Sequence, residues 1–390
     1  MESKRIVIIG GGIAGFSAAL SARSLSKNFK ITLLYDEDYP FYKRPLLPYA
    51  INNPYLSPKN QKRMALYGKD FFNERRIGLR KILKLKALDL GDRSIEIEEP
   101  KRRGSSHLSY DVLIIATGAS SRLPKELTEL PKKGVFTLRK LDDLKLINDW
   151  IPRVNKAIVV GAGLAALKIA EALAKRGIKA SMLVRSRALR DLLEPELSTE
   201  IHEELIAHGV SLRIGESVEA IEGKDRITHL VTSSGRVETD MSIFAMGVEP
   251  NLEVAKKLGL ELGERAIKVD RSMQTSVPKV YAAGDCCEGL DFISRSHAYI
   301  PIASIAATQG SLAGFNAAGA SLMTEGFIRA QFDRCFSLSI AIIGYSKAEA
   351  EGKGIKAEAI ELKERSLYAS KKSRARMKIV VDEKDRLIGG

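Results

Sequence analysis

Apolar runs of strand length recur along this chain, and glycine closes most of them. Ile6-Val7-Ile8-Ile9 runs into Gly10-Gly11-Gly12, after which small and apolar residues continue in a helical pattern. A second strand, Ile31 to Tyr35, ends at Asp36. Tyr39 to Tyr49 holds three prolines and four aromatics, which predicts a rigid loop rather than a helix or strand. Residues 60 to 103 read as a charged helix followed by hairpin strands, Ser94-Ile95-Glu96-Ile97-Glu98 showing the alternation of a half-buried strand. Tyr110 to Gly118 is a buried strand with a glycine stop.

The opening pattern occurs twice. Ala157-Ile158-Val159-Val160-Gly161-Ala162-Gly163 restates it, with Gly161 placed 151 residues after Gly10. Ala166 replaces the third glycine, and the helix runs on to a basic last turn and a stop at Arg176-Gly177. A strand from Ala180 to Val184 follows, and Met241 to Gly247 repeats the strand-then-glycine pattern of 110 to 118.

Glycines spaced G-x-G-x-x-G between a strand and a helix carry a physical meaning. Gly10 allows the tight turn, Gly12 lets the backbone approach a pyrophosphate, and Gly15 lets the helix pack on the strand. The unpaired N–H groups and the dipole of the helix N-terminus both favour the anion. Asp36, 21 residues after Gly15, stands where an acid is expected to hold a ribose hydroxyl. Two such units in one chain predict two dinucleotides, one held tightly and one exchangeable.

Composition narrows the class. At 390 residues, with 45% hydrophobic and 28% charged residues, the chain is long enough for two or three folded domains. No apolar run reaches the ~20 residues of a membrane span, and no leader precedes the first strand, so a cytoplasmic protein is expected. Three cysteines, Cys286, Cys287 and Cys335, make no disulfide framework. No metal site is expected, and His202 and His208 read as solvated residues of a surface helix. The net charge of +14 favours acidic partners such as nucleic acid, an anionic membrane surface or an acidic redox protein. The competing reading is the Lys/Arg-rich surface of a thermostable protein.

With Val280-Tyr281-Ala282-Ala283-Gly284-Asp285 added, the motifs together resemble the pyridine nucleotide-disulfide oxidoreductase superfamily, from Arg5 to about Gly344. The resemblance implies an α/β fold with two Rossmann-like dinucleotide-binding domains, as in glutathione reductase, and a small α+β C-terminal domain. It implies an FAD-binding domain at 1–124 and 245–325, an NAD(P)H-binding domain at 125–244 and an interface domain at 326–390. FAD would lie on Gly10, Gly12, Ile13, Ala14, Gly15, Asp36 and Glu37, with Ala116, Thr117 and Gly118 closing over it and Asp285, after Gly284, on its ribityl chain. NAD(P)H would lie on Gly161, Gly163, Leu164, Ala165 and Gly247. Tyr42-Lys43-Arg44-Pro45-Leu46-Leu47-Pro48-Tyr49 is similar to the rubredoxin reductase, ferredoxin reductase and NADH-nitrite reductase branch, where Arg44 and Pro45 would line the FAD.

The implied reaction is hydride transfer from NAD(P)H to flavin N5, a step that obliges no side chain to act as acid or base. Residues 36 to 60 contain no cysteine, so neither a Cys-x-x-x-x-Cys pair nor the single-cysteine loop of the peroxide and CoA-disulfide reductases is present. Acceptors taking electrons directly from flavin are favoured: rubredoxin, ferredoxin, oxygen or a quinone-like dye. A thiol role for Cys286 or Cys287 is the minor alternative. Others are a flavin-bearing protein that binds nucleic acid, as apoptosis-inducing factor does, and a non-turnover subunit of a larger complex.

Two departures from the family pattern bear on the site. Lys168 stands where family members carry Glu near the nicotinamide, and it either approaches a phosphate or pairs with a neighbouring carboxylate. The strand ending at Val184 lacks the acid for an NAD ribose and offers Arg185 and Arg187, which either suit a 2′-phosphate, with NADPH then used at least as well as NADH, or form a solvated basic loop. The end, Leu387-Ile388-Gly389-Gly390, comes where relatives continue with another strand and helices. A short chain, a partner that completes the fold and a homodimer therefore all remain open.

Overall fold

The structure is a computed structural model that describes residues 3–38, 41–53, 67–100, 102–124, 133–365 and 374–390. In chain order the principal elements are β1 (Arg5–Ile9), α1 (Ile13–Leu25), β2 (Lys30–Tyr35), β3 (Ile77–Lys81) and β4 (Val112–Ile115). There follow β5 (Val135–Thr137), β6 (Lys156–Val160), α2 (Leu164–Lys175), β7 (Lys179–Val184), α3 (Pro195–Ala207), β8 (Ser211–Ile214) and β9 (Met241–Phe244). The chain closes with β10 (Val280–Ala282), α4 (Ala303–Ala317), β11 (Ala330–Cys335), β12 (Leu338–Ile343), β13 (Ala357–Arg365), β14 (Arg374–Asp382) and β15 (Leu387–Gly389).

These elements form two compact units. The first comprises 1–44, 60–120 and 248–327, and the second 45–59, 121–247 and 328–390. Each is built on a five-stranded parallel sheet, in the order β10-β4-β1-β2-β3 in the first unit and β8-β7-β6-β9-β5 in the second. The near-continuous apolar runs at 6–9 and 112–115 follow from this, because parallel strands are covered on both faces. In each sheet the strand order reverses beside the glycine-bearing strand, so a crevice opens at the carboxyl ends of β1 and β6.

The core of the first unit packs β1, β2 and β4 with the small-residue face of α1. On that face α4 crosses α1 at close range, with Gly310 against Ala14 and Gly314 against Ala18. The hydrophobic cluster of the second unit includes Ile158, Val160, Leu183, Ile227 and Phe244.

The expected hairpin strands are a three-stranded antiparallel sheet of Lys84–Asp89, Ser94–Glu98 and Ser105–Ser109. The charged helix expected after residue 60 falls largely outside the described residues, of which Lys69–Glu74 is helical. The Pro-rich loop contains two short helical turns that the pattern did not suggest, a 3-10 turn at Arg44–Leu46 and a short helix at Leu47–Ala50. Pro48 sits in its first turn, where a missing N–H costs nothing. The last segment forms the hairpin β11–β12, a short helix at Lys347–Gly352 and the antiparallel sheet β13-β14-β15, an α+β arrangement. No helix among the described residues is long and apolar enough to cross a membrane.

Candidate functional site

At the end of β1, Gly10 has φ +124, and a Cβ there would stand 2.0 Å from the Ala116 carbonyl oxygen, so only glycine fits the turn. Gly15 packs as tightly, its hypothetical Cβ 1.9 Å from the Gly10 carbonyl oxygen. Gly12 is the opposite case, with nothing within 4 Å of the place a Cβ would take. Gly12 is also the N-cap of α1 and offers no side-chain cap to the first N–H groups of that helix, which have no side-chain cap bond among the described residues. An open approach over uncapped amides is what a pyrophosphate requires.

Around this turn the expected residues converge. Gly11, Gly12, Tyr35, Asp36, Glu37, Tyr42 and Arg44 line one pocket. The Glu37 carboxylate accepts from both the Tyr42 hydroxyl and the Arg44 guanidinium, which also lies 5.2 Å from the Tyr42 ring centroid. Pro45 follows in the 3-10 turn Arg44–Leu46. A neighbouring cavity of about 850 Å³ runs from Gly10, Tyr35 and Asp36 past Ile82 and Leu83 to Thr117 and Asn251. That is the size range of cofactor pockets. Thr117 and Asn251 lock each other: the Thr117 hydroxyl donates to the Asn251 carbonyl at 3.0 Å, and the Asn251 amide donates to the Thr117 carbonyl at 2.9 Å. Asn251 N–H also donates to the carbonyl of Gly118 at 2.9 Å, while Ala116 N–H donates to that of Ile9 at 2.8 Å. Ile82, Leu83 and Asn251 were not legible as site residues, because folding alone brings them to the Gly10 turn.

Gly284 (φ +84) turns the chain after β10 directly against Ala14, and Asp285 follows it half-buried. Both adjacent cysteines are free and buried. Cys286 Sγ–H donates to the Ile115 and Ala283 carbonyls at 3.4 Å, and burial pushes both thiols above their usual range. A thiol held neutral and out of solvent is a poor nucleophile.

The second unit repeats the first turn. Gly161 has φ +126, with its hypothetical Cβ 2.3 Å from the Ala245 carbonyl oxygen, while Gly163 is open and caps α2 without a side-chain partner, ahead of Leu164 and Ala165. Gly247 has φ +94, and its carbonyl accepts from Arg122 N–H at 3.0 Å. The two arginines expected near a ribose are not equivalent. Arg185 is exposed at the end of β7. Arg187 turns into its own loop, where its guanidinium donates to the Ser198 hydroxyl at 2.9 Å, the Arg190 carbonyl at 2.7 Å and the Leu193 carbonyl. That loop returns to the glycine turn through a 2.9 Å bond from Leu189 N–H to the Ala162 carbonyl. His202 is half-buried rather than fully solvated: its ring accepts from Ala188 N–H at 3.0 Å, and burial lowers its pKa.

Lys168 takes the second of its two expected courses. Its ammonium, only 7% exposed, pairs with Glu171 at 2.8 Å and donates to the Arg334 carbonyl on β11. It also lies 4.3 Å from the Tyr49 ring centroid, and Tyr49 donates to Asp333 at 2.7 Å. Burial works against the charge of Glu171, but its bonds from Lys168 and Lys175 outweigh that and hold its pKa below the usual carboxylate value. Cys335, beside this cluster, is pushed up to about 12, mainly by burial. At the tip of the same hairpin Ser337 donates twice to Glu204, and Phe336 stacks on His208 at 4.1 Å.

Two nucleotide cradles on two parallel sheets define a dinucleotide-dependent oxidoreductase, and the comparisons agree. The pyridine nucleotide-disulphide oxidoreductase family model matches residues 4–310. NAD(P)H sulfur oxidoreductase (CoA-dependent) from Pyrococcus abyssi is 33% identical over 99% of this chain and 86% of its own length. NADH oxidase from Methanocaldococcus jannaschii is 30% identical over 92% of this chain and 78% of its own length. The solved NAD-dependent persulfide reductase from A. fulgidus superposes with a TM-score of 0.92 at 27% identity, over 99% of this chain and 73% of that one. The chain belongs to the pyridine nucleotide-disulphide oxidoreductase family, whose members use FAD and NAD(P)H. It is an NAD(P)H-dependent flavoprotein oxidoreductase.

Proposed function

We propose that this chain passes electrons from NAD(P)H through FAD directly to its acceptor, without a thiol relay. The flavin, when bound, supplies the redox chemistry, taking hydride from the nicotinamide and releasing electrons onward. The observation that carries the reading is where the cysteines are: none lies between residues 36 and 60, and Cys286, Cys287 and Cys335 are all buried with raised pKa values.

The protein's part is binding and orientation. FAD would be held by residues 1–124 and 245–325, its pyrophosphate over Gly10, Gly12, Ile13, Ala14 and Gly15. Its adenosine would occupy the cavity between Asp36, Ile82 and Thr117. Arg44 and Glu37, bonded to each other, would wall the pyrophosphate side. NAD(P)H would be held by residues 125–244 over Gly161, Gly163, Leu164 and Ala165, with exposed Arg185 offering charge to a 2′-phosphate. Arg187, already committed within its loop, shapes that loop instead. The acceptor is a small redox protein such as rubredoxin or ferredoxin, or oxygen, and the +14 charge suits an acidic protein partner.

A second reading, reduction of sulfur-level acceptors, is favoured by the Pyrococcus abyssi relative. An acceptor panel separates them: reduced protein is mixed with rubredoxin, ferredoxin, oxygen, polysulfide and CoA-disulfide. Fast reoxidation by a redox protein or oxygen supports the proposal. Turnover confined to CoA-disulfide, and lost in C286A or C287A, would overturn it.

A further inference from the structure

The turn after β10 is braced from behind by a side chain with no cofactor role assigned above. Gln309, within α4, is 4% exposed, and its Oε1 accepts from Gly284 N–H at 2.9 Å. The same oxygen lies 3.7 Å from Cys287 Sγ. Gly284 cannot escape this bond toward α1, because Ala14 blocks the way at 2.8 Å from its hypothetical Cβ. Cys287 N–H donates to the Gly284 carbonyl at 3.0 Å, so both backbone polar groups of Gly284 are satisfied.

The surroundings of Gln309 make its identity informative. Its buried helix neighbours are Ile305, Ala306, Gly310 and Ala313, an apolar stripe against the first unit's core. A long amide side chain in such a stripe loses rotamer freedom and must find partners for its polar atoms, where Leu or Met would pack without that demand. What it supplies is an acceptor for one buried N–H, on the residue immediately before Asp285.

We propose that Gln309 is a positioning residue for the flavin site, fixing the Gly284 turn and thereby the direction in which Asp285 leaves β10. This rests on the reading of Asp285 as an FAD contact. Gln309 acts on the turn through Gly284 N–H, and Cys287, whose Sγ–H shares the same oxygen at 3.7 Å, completes the brace. The two cysteines are thus the packed back of the turn, not redox groups.

The experiment compares Q309M, Q309E and D285N with the wild-type holoenzyme and with apoprotein stripped of FAD. FAD affinity is read from flavin fluorescence, the flavin midpoint potential by dye equilibration, and apoprotein folding by thermal melting. Q309M, close in volume but a poor acceptor, is expected to fold and to hold FAD about tenfold more weakly with an altered midpoint. Q309E keeps an acceptor for Gly284 N–H and is expected to recover affinity to within about threefold. If Q309M matches wild type in affinity and midpoint while D285N does not, Gln309 positions nothing. If D285N also matches wild type, the FAD assignment of Asp285 itself fails. Should Q309M not fold, Q309E carries the test: affinity near wild type supports the brace, and a loss equal to that of D285N overturns it.

Discussion

Gly310 lies so close to Ala14 that a Cβ built on the glycine would stand 2.2 Å from the alanine carbonyl oxygen. The contact repeats one turn later between Gly314 and Ala18. The helix α1, whose N-terminus would face the first dinucleotide, is therefore seated on α4, a helix some 300 residues away in sequence.

Two glycine substitutions should separate seating from binding. Gly310→Ala forces a methyl group into α1 and should destabilise the protein by about 1–3 kcal/mol, as overpacking does. Gly12→Ala meets nothing within 4 Å and has an ordinary φ of −75, so the fold should hold. The new methyl group would instead obstruct the approach of a pyrophosphate. Melting of both apoproteins, beside their FAD content, checks this: G310A should melt early, and G12A should melt normally yet purify with little flavin.

The Lys168–Glu171 pair should behave as a buried ion pair rather than as a hydride-site group. Lys168→Met strands a buried carboxylate, and breaking such a pair costs about 3 kcal/mol at the low end. The low end applies because Lys175 still reaches Glu171 at 2.6 Å. The cost should shrink as pH falls through the variant's Glu171 pKa, since the neutral acid needs no cation. Removing both partners in K168M/E171L should restore much of the loss. Urea unfolding of the single and double variants at several pH values measures it.

Arg185 and Arg187 should part company in kinetics. Arg185→Ala removes an exposed charge and should raise KM for NADPH about tenfold while leaving NADH nearly unchanged. Arg187→Ala breaks bonds to Ser198, Arg190 and Leu193 within the loop, so both coenzymes should suffer alike. Equal losses for both coenzymes in R185A, or a loss confined to NADPH in R187A, would reverse these assignments.

An acid-sensitive tie joins two neighbouring strands of the first unit's sheet, from Arg5 of β1 to Asp111 immediately before β4. The Arg5 guanidinium, with its backbone N–H at 2.7 Å, holds the Asp111 carboxyl down at about 2 against the opposing effect of burial. The folded value lies below the unfolded value of ~3.9, so the tie contributes fully above about pH 4 and is lost as pH falls toward the folded value. The stability difference between wild type and D111N should therefore be flat near neutrality and close between about pH 4 and 2. Both groups are partly exposed, so the difference should be modest.

What the sequence made legible was local. Gly10, Gly12 and Gly15 announced the cradle because a turn, an open approach and a close helix contact each demand glycine at a fixed spacing. The parallel strands showed as unbroken apolar runs for the same reason. What stayed hidden was relational. Arg187 reads as a 2′-phosphate contact, and no pattern in the sequence announces that its guanidinium is bonded within its own loop. Lys168 left two courses open until Glu171 and Arg334 were seen around it. Asn251 is 134 residues from Thr117, and no periodicity links them. Gln309 carries no motif, only an amide in an apolar stripe.

Whether electrons leave the flavin without a thiol stage is decided by an anaerobic titration with NADPH or NADH. One equivalent per bound FAD should bleach the flavin completely, and C286A and C287A should titrate identically. Uptake of a second equivalent with a thiolate–flavin charge-transfer band, abolished by either cysteine substitution, would contradict transfer without a thiol stage.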